Sequence, residues 1–304
     1  MKVHITGAKG WLATHLMRRL VERGHEVSGS GTESMVTPSV ALRADACPDL
    51  VVHAGAKVGR AFGEQDRLGT VIQNAGSTTI WAEACRQHEV PMLYLSTSEA
   101  YGDMSGQPAI EEQTDLPLPY NLYGLTKRWG EEAVRLYLPA DLHVVARIAM
   151  PYGPGMLPGR GRAAVINFLW DAMHGRPLHV HAGSVRNWCW VGDTVHGLCL
   201  IAEALARGEH PYSLFNVGRG DPESMASMRD VAELCKELAE STSSILVVPP
   251  PADQVLVKDL PTDRLEELGW RPETELRQGL AATLLDLQQR QHPRDRLRRP
   301  TERR

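Results

Sequence analysis

Over its first 150 residues the chain alternates short apolar runs with stretches of helical spacing. Lys2–Thr6 reads as a strand, and Gly7 to Gly10 as a turn. Over 11–23, Leu12, Leu16, Leu20 and Val21 share one helix face, and Gly24 follows as a helix-ending glycine. Glu26–Ser30 reads as a second strand, 31–48 as irregular, and Leu50–His53 as an apolar strand. A helix is predicted over 71–88, a strand over 92–96, a helix over 121–137 and a strand over 142–148. Such alternation implies parallel strands joined by right-handed helical crossovers, hence an α/β protein with an open, doubly wound parallel sheet. After Met150 the pattern changes: Pro and Gly crowd 151–161, and helix and strand then mix. We expect a first domain over 1–150, with 186–218 returning to it, and a smaller C-terminal α/β substrate domain over 151–289.

Composition narrows the class. Hydrophobic residues make up 42% and charged residues 23%, values of a globular protein. No apolar run approaches the roughly 20 residues of a membrane span, and the opening Met-Lys-Val-His-Ile-Thr-Gly has no charged-then-apolar leader, so neither membrane nor secretion is expected. The cysteines, Cys47, Cys85, Cys189, Cys199 and Cys235, are odd in number and form no Cys-x-x-Cys pair, as in a cytoplasmic protein with reduced thiols. His179 and His181 alternate as strand neighbours, and no histidine–cysteine spacing suggests a metal site. The net charge of −4 is uneven: from Arg290 to Arg304 the chain carries +5, which leaves −9 on the rest. An acidic body argues against nucleic acid as a partner. The tail over 290–304, with Pro293 and Pro300, reads as a solvated, disordered end, or alternatively as an arm for an anionic partner.

The turn after the first strand has the form Gly-x-x-Gly-x-x-Ala, with Gly7, Gly10 and Ala13 in a run that includes Lys9, Trp11 and Leu12. Gly7 permits the tight turn, Gly10 admits a pyrophosphate to the backbone, and Ala13 keeps helix and strand close. The helix N-terminus then offers free N–H groups to the phosphates. This is a Rossmann dinucleotide site by position. The acid that holds a ribose 2′-hydroxyl at the end of the second strand is missing: Ser28-Gly29-Ser30-Gly31-Thr32 precedes Glu33. With Lys9 nearby this leans toward NADP over NAD, unless Glu33 does the acid's work.

Two further motifs carry chemistry. Tyr123 and Lys127 stand four residues apart in a predicted helix and so share a face. A free tyrosine is a poor base at neutral pH; a neighbouring ammonium and an oxidised nicotinamide would stabilise its phenolate, so that Tyr123 could take a proton from a sugar hydroxyl. Thr97-Ser98-Glu99 closes the strand after Leu95, where ligands of doubly wound sheets bind. Thr97 is the candidate for the sugar oxygen. Glu99 reads as a general base, as a clamp on the sugar ring, or as a loop carboxylate facing water.

Together these motifs resemble the extended short-chain dehydrogenase/reductases, and within them the nucleotide-sugar epimerase/dehydratase branch. His53-Ala54-Gly55-Ala56 resembles the family's strand end against the cofactor, and Asn74 and Thr78 the helix after it. Arg147 to Gly155 resembles Arg-x-x-Asn-x-Tyr-Gly-Pro-Gly, Arg186 to Asp193 resembles Arg-Asp-x-x-x-Val-x-Asp, Asn216-Val217-Gly218 the Asn-x-Gly segment, and Leu268 to Pro272 Leu-Gly-Trp-x-Pro. The resemblance runs to about residue 285. It implies Thr97, Tyr123 and Lys127 as the catalytic set, with Glu99 beside them. It implies His53, Ala54 and Gly55 at the cofactor, and Ser98, Met150, Arg160 and Arg186 at a nucleotide-diphosphate sugar, with Arg162 assisting. It also implies a homodimer through a four-helix bundle built from the helices near 71–88 and 121–138. Met150 stands where the family has Asn, and Asn187 and Gly192 each replace an Asp. Thr97-Ser98-Glu99 resembles GDP-mannose dehydratases and UDP-glucuronate decarboxylases, whereas Ala56 to Gly59 resembles 4-keto reductases. The implied lead is transient hydride abstraction at sugar C4 ending in epimerisation or elimination; the alternatives are NADPH-dependent reduction of a 4-keto sugar, decarboxylation, and a nucleotide sensor without catalysis.

Overall fold

The computed structural model describes residues 1–31, 37–42, 47–104, 106–159, 161, 163–221, 224–252 and 254–290. Arg160, Arg162, Thr32, Glu33 and 291–304 lie outside the described residues. The first half follows the predicted rhythm: β1 (Lys2–Thr6), α1 (Trp11–Glu22), β2 (Glu26–Ser30), β3 (Leu50–His53), α2 (Arg60–Gln65), α3 (Arg67–Val71), α4 (Ser77–Gln87), β4 (Met92–Thr97), α5 (Leu122–Tyr137) and β5 (His143–Ile148). Then come β6 (Pro151–Tyr152), α6 (Ala164–Met173), β7 (Leu178–His181), β8 (Val185–Arg186), β9 (Cys189–Trp190), α7 (Val191–Ala206) and β10 (Leu214–Val217). The chain closes with β11 (Ala226–Ser227), α8 (Met228–Leu238), β12 (Ile245–Val248), β13 (Val257–Lys258), α9 (Asp263–Glu267) and α10 (Leu276–Arg290).

Six strands make one parallel sheet in the order β10-β5-β4-β3-β1-β2. β3, β4, β5 and β10 are buried throughout, as expected where helices cover both faces. One face packs Leu16 and Leu20 of α1 and Leu198, Ile201 and Leu205 of α7 against Ile5, Val52 and Leu93. The same core takes Leu265 and Trp270 from far down the chain, and the Trp270 indole donates to the Asp193 carbonyl at 2.9 Å. The other face packs Trp81, Cys85 and Val134 against Val51, Met92 and Val145. A separate core gathers α6, α8 and α10 around Leu169, Val231 and Leu284. His179 is exposed and Val180 buried on β7, as strand alternation required. No helix among the described residues is long and apolar enough to cross a membrane.

The helix expected over 71–88 is not continuous. α3 ends at Val71, a π turn occupies Ile72–Gly76, and α4 begins at Ser77. Apolar spacing cannot reveal an inserted residue of this kind, and π turns concentrate at functional sites. Here the turn aims Asn74, wholly buried, at the Lys57 backbone: it accepts from the Lys57 N–H at 2.8 Å and donates to the Lys57 carbonyl at 3.1 Å.

An ion cluster ties α1 to α7. Arg23 grips Glu203 with two hydrogen bonds of 2.6 Å, and His25 adds a third at 2.9 Å. The Arg23 bond leads in holding the Glu203 carboxyl down at about 2 against an ordinary 4.5. A depressed carboxylate stabilises the fold fully above its unfolded value and loses that contribution as pH falls through its folded one. Thermal unfolding followed against pH is therefore expected to show a steeper loss between about 4.5 and 2 in the parent protein than in Glu203→Gln.

Candidate active site

The glycine turn is shaped by the strand beside it. Gly7 has φ +65°, and a Cβ there would lie 2.6 Å from the Gly55 Cα. Gly55 is in turn held by its N–H donating to Thr6 Oγ1 at 3.0 Å, and that hydroxyl also bonds His53 Nδ1 at 2.9 Å. Burial holds the His53 imidazole near about 3, so the ring is uncharged. The backbone of Ala54 and Gly55 thus lies too close to Gly7 for any side chain there. Gly10 caps α1 without a side-chain hydrogen bond, which leaves the helix's first N–H groups available. Ala13 is buried, Leu12 packs on the sheet core, and Lys9 is exposed at the tip of the turn. The Trp11 indole donates to the Pro154 carbonyl at 2.7 Å, tying the turn to the loop after β6. An uncapped helix end beside two abutting glycines fits a dinucleotide pyrophosphate.

The carboxyl end of β4 meets the start of α5. Asn121 caps the helix by accepting from the Gly124 N–H at 2.9 Å. A Cβ on Gly124 would lie 2.8 Å from the Glu99 carbonyl, so the first turn rests directly on the 3₁₀ turn Ser98–Tyr101. That contact sets the Tyr123 phenol beside Thr97. One turn on, Lys127 is 2% exposed, and its Nζ stands 4.1 Å over the Tyr94 ring. Tyr123 and Thr97 thus lie together, while Lys127, one helical turn further along α5, packs against Tyr94.

Their electrostatics differ from expectation. Desolvation pushes the Tyr123 phenol up to about 12, with Thr97 opposing. Burial pulls Lys127 down to about 7, with Glu131 opposing. The expected depression of Tyr123 by Lys127 is thus not produced by the protein's own groups. An enclosed lysine costs too much as a cation to do it alone.

Glu99 does not face water. It pairs with Lys258 and accepts from the Asn121 amide at 3.1 Å. Its partial burial works against ionisation, but Lys258 and then Asn121 outweigh it, and the carboxyl stays below its usual range. Lys258 lies in register with Arg186 across β13 and β8. The Arg186 guanidinium donates to the carbonyls of Val185, Val255 and Leu256, and burial lowers it to about 10. Two buried cations thus stand beside one carboxylate. Sequence reasoning found Arg186 and Glu99 but missed Lys258; the available signal was one lysine closing the apolar run Val255-Leu256-Val257. The Ser98 hydroxyl is buried with no partner among the described residues.

Met150 has φ +42°, a left-handed backbone that long side chains adopt at a cost and that Asn tolerates. This gives a physical reason for Asn at that place in the resembling family. Met150→Asn is expected to raise stability by about 0.5–1 kcal/mol, measurable by denaturant unfolding.

With this geometry in place, the chain is found to match the NAD dependent epimerase/dehydratase family over residues 3–218, and it belongs to that family. It is therefore an NAD-dependent enzyme by class. UDP-glucuronic acid decarboxylase 2 of Arabidopsis thaliana is 28% identical over 326 residues, covering 95% of this chain and 69% of that protein. A probable dTDP-4,6-dihydroxy-2-methyloxan-3-one 4-ketoreductase of Streptomyces antibioticus is 28% identical over 96% of this chain and 98% of its own. The fold matches that of the Thermus thermophilus UDP-glucose 4-epimerase in complex with NAD, with TM-score 0.81 and 24% identity over 95% of this chain and 99% of that one.

Proposed function

We propose that the protein binds a nucleotide-diphosphate sugar and oxidises it transiently at C4, ending in epimerisation or elimination. The placing of Tyr123 beside Thr97 at the end of β4, with Lys127 one helical turn further along α5 and β3 between β4 and the strand of the glycine turn, carries this reading. A bound nicotinamide supplies the hydride acceptor. Tyr123 takes the proton of the sugar hydroxyl, Thr97 holds the oxygen that becomes a carbonyl, and Lys127 adds positive charge beside the phenolate and holds the nicotinamide ribose. Arg186 and Lys258 meet the diphosphate, Met150 and the Ser98 hydroxyl meet the sugar, and Glu99 is the carboxylate available to a sugar carbon. Arg160 is assigned to the substrate as well. NADP is favoured over NAD by the exposed Lys9 and by Ser30 at the end of β2. The cofactor domain spans 1–150 with 186–218, and the substrate domain the rest to 289.

The surface and the thiols support a homodimer and a cytoplasmic location. α3, α4, α5 and the π turn leave Leu68, Ile72, Ile80, Trp129 and Leu136 exposed, a face suited to a four-helix homodimer. Unpaired cysteines, four of them buried, suit the cytoplasm. A second reading, NADPH-dependent reduction of a 4-keto sugar, draws on the Streptomyces antibioticus relative. Mass spectrometry of nucleotides released on denaturing fresh protein separates the two. NADP or NAD near one per chain is the expected result of a closed redox cycle; an empty protein that exchanges NADPH supports the reductase.

A further inference from the structure

The loop after β6 is fastened along its length. Trp11, the first residue of α1, donates its indole N–H to the Pro154 carbonyl at 2.7 Å, and His15, one turn on, gives the same carbonyl a second donor at 3.0 Å. Gly155 has φ +85°, and a Cβ there would lie 3.2 Å from the Trp11 ring, so its backbone rests directly on the indole. From the other side, Asp286 of α10 accepts from the Gly155 N–H at 2.9 Å, and Arg290 donates to that carboxylate at 3.0 Å. Gly159 exchanges two hydrogen bonds with the Asn167 amide of α6, at 2.8 and 3.1 Å. Two residues further, Gly161 abuts α2, where a Cβ on it would lie 2.8 Å from the Ala61 Cβ.

These anchors stand on opposite faces of the main sheet. α1 packs on the face it shares with α7. α2 packs on α5, with Gly63 against Tyr123, and α5 covers the other face. The chain leaves the carboxyl end of β5 through β6, so between Gly153 and Gly161 it passes over the carboxyl edge of the sheet. In the order β5-β4-β3-β1, that edge runs from the end of β4, where Thr97 and Tyr123 lie, to the glycine turn after β1. A dinucleotide with its pyrophosphate at the start of α1 and its nicotinamide near Tyr123 lies along the same edge.

We propose that Gly153–Gly159 is a strap that gates the cofactor site, and that Trp11, His15 and Asp286 are the positioning residues that latch it. The proposal rests on the placing of the dinucleotide in the function proposed above. Each latch bond joins protein to protein, and the Trp11 indole is turned to Pro154. Loosening one bond therefore eases passage in both directions. Loss of a direct nucleotide contact would instead speed release alone.

The test uses the full chain with NADH and NADPH as probes. Nicotinamide fluorescence follows entry on mixing, and release during a chase with excess oxidised nucleotide. Trp11→Phe keeps a ring and loses the indole N–H. Asp286→Ala frees the strap from α10, and Asp286→Asn, which keeps an acceptor for Gly155, serves as the rescue. Trp11→Phe and Asp286→Ala are each expected to speed both entry and release by about threefold to tenfold, with Kd changed by less than about twofold, and Asp286→Asn to stay near the parent. Thermal unfolding is read beside the rates. Should Trp11→Phe prove poorly folded, Asp286→Ala, on the α10 side of the strap, decides the matter. Unchanged rates in a folded variant overturn the proposal and leave the proposed reaction standing. Faster release alone, with a matching loss of affinity, overturns it too and makes the residue a nucleotide contact. A parent protein that binds neither NADH nor NADPH overturns the cofactor reading itself, and the gate with it.

Discussion

Tyr123→Phe is expected to lower hydride transfer by about 10²–10⁴-fold while leaving the fold intact. The substitution removes one oxygen and keeps the ring, so the first turn of α5 still rests on the end of β4 through Gly124. What is lost is the hydroxyl proposed to take the proton, and with it the interaction with Thr97. Desolvation already places the phenol high, at about 12. Under the proposed mechanism, positive charge from Lys127 and from an oxidised nicotinamide lowers it. Turnover measured beside thermal unfolding separates lost chemistry from lost structure. Tyr120→Phe, at an exposed tyrosine bonded to Asp103, serves as the control and is expected to be silent.

Gly7→Val should both destabilise the protein and abolish nucleotide binding. Two penalties add. A branched side chain at φ +65° is strained by about 1–3 kcal/mol. Its Cβ would also sit 2.6 and 2.8 Å from the Cα and N of Gly55. Those atoms are backbone, held by the Thr6 hydroxyl, and cannot yield without moving the strand end that faces the turn. We expect a lower unfolding midpoint and a more than tenfold loss of nucleotide affinity by titration. Gly24→Ala is the contrast. Its φ is +85° but nothing lies within 4 Å of a Cβ there, so only the backbone strain of about 1 kcal/mol is expected, with nucleotide binding unchanged.

These two sites also show what the sequence could disclose. Strand ends and the glycine turn were legible because burial on both faces makes parallel strands continuous apolar runs, and because Gly7 and Gly10 flank a helix start. β1, β2 and β3 have the expected bounds, and β4 runs one residue further. Tyr123 and Lys127 were legible because four residues is one helical turn. The π turn at Ile72–Gly76 was not, since it inserts backbone without altering composition. Lys258 was not, because 159 residues separate it from Glu99 and only the packing of β13 beside β8 joins them. Arg147 stood in the sequence only as part of a motif; its buried ion pair with Glu131 arises only once α5 packs on β5. The high phenol of Tyr123 was missed for a similar reason, since desolvation is a property of the assembled site.

In the proposed reaction Tyr123, Thr97 and Lys127 carry a hydride transfer from a sugar carbon to the nicotinamide. The most direct test mixes protein loaded with oxidised cofactor with a panel of nucleotide-diphosphate sugars and follows reduced nicotinamide by its absorbance near 340 nm in rapid kinetics. A transient rise with at least one sugar, absent in Tyr123→Phe, is the predicted result. Tight binding of such a sugar with no nicotinamide reduction at any time, or a rise that persists unchanged in Tyr123→Phe, would contradict it.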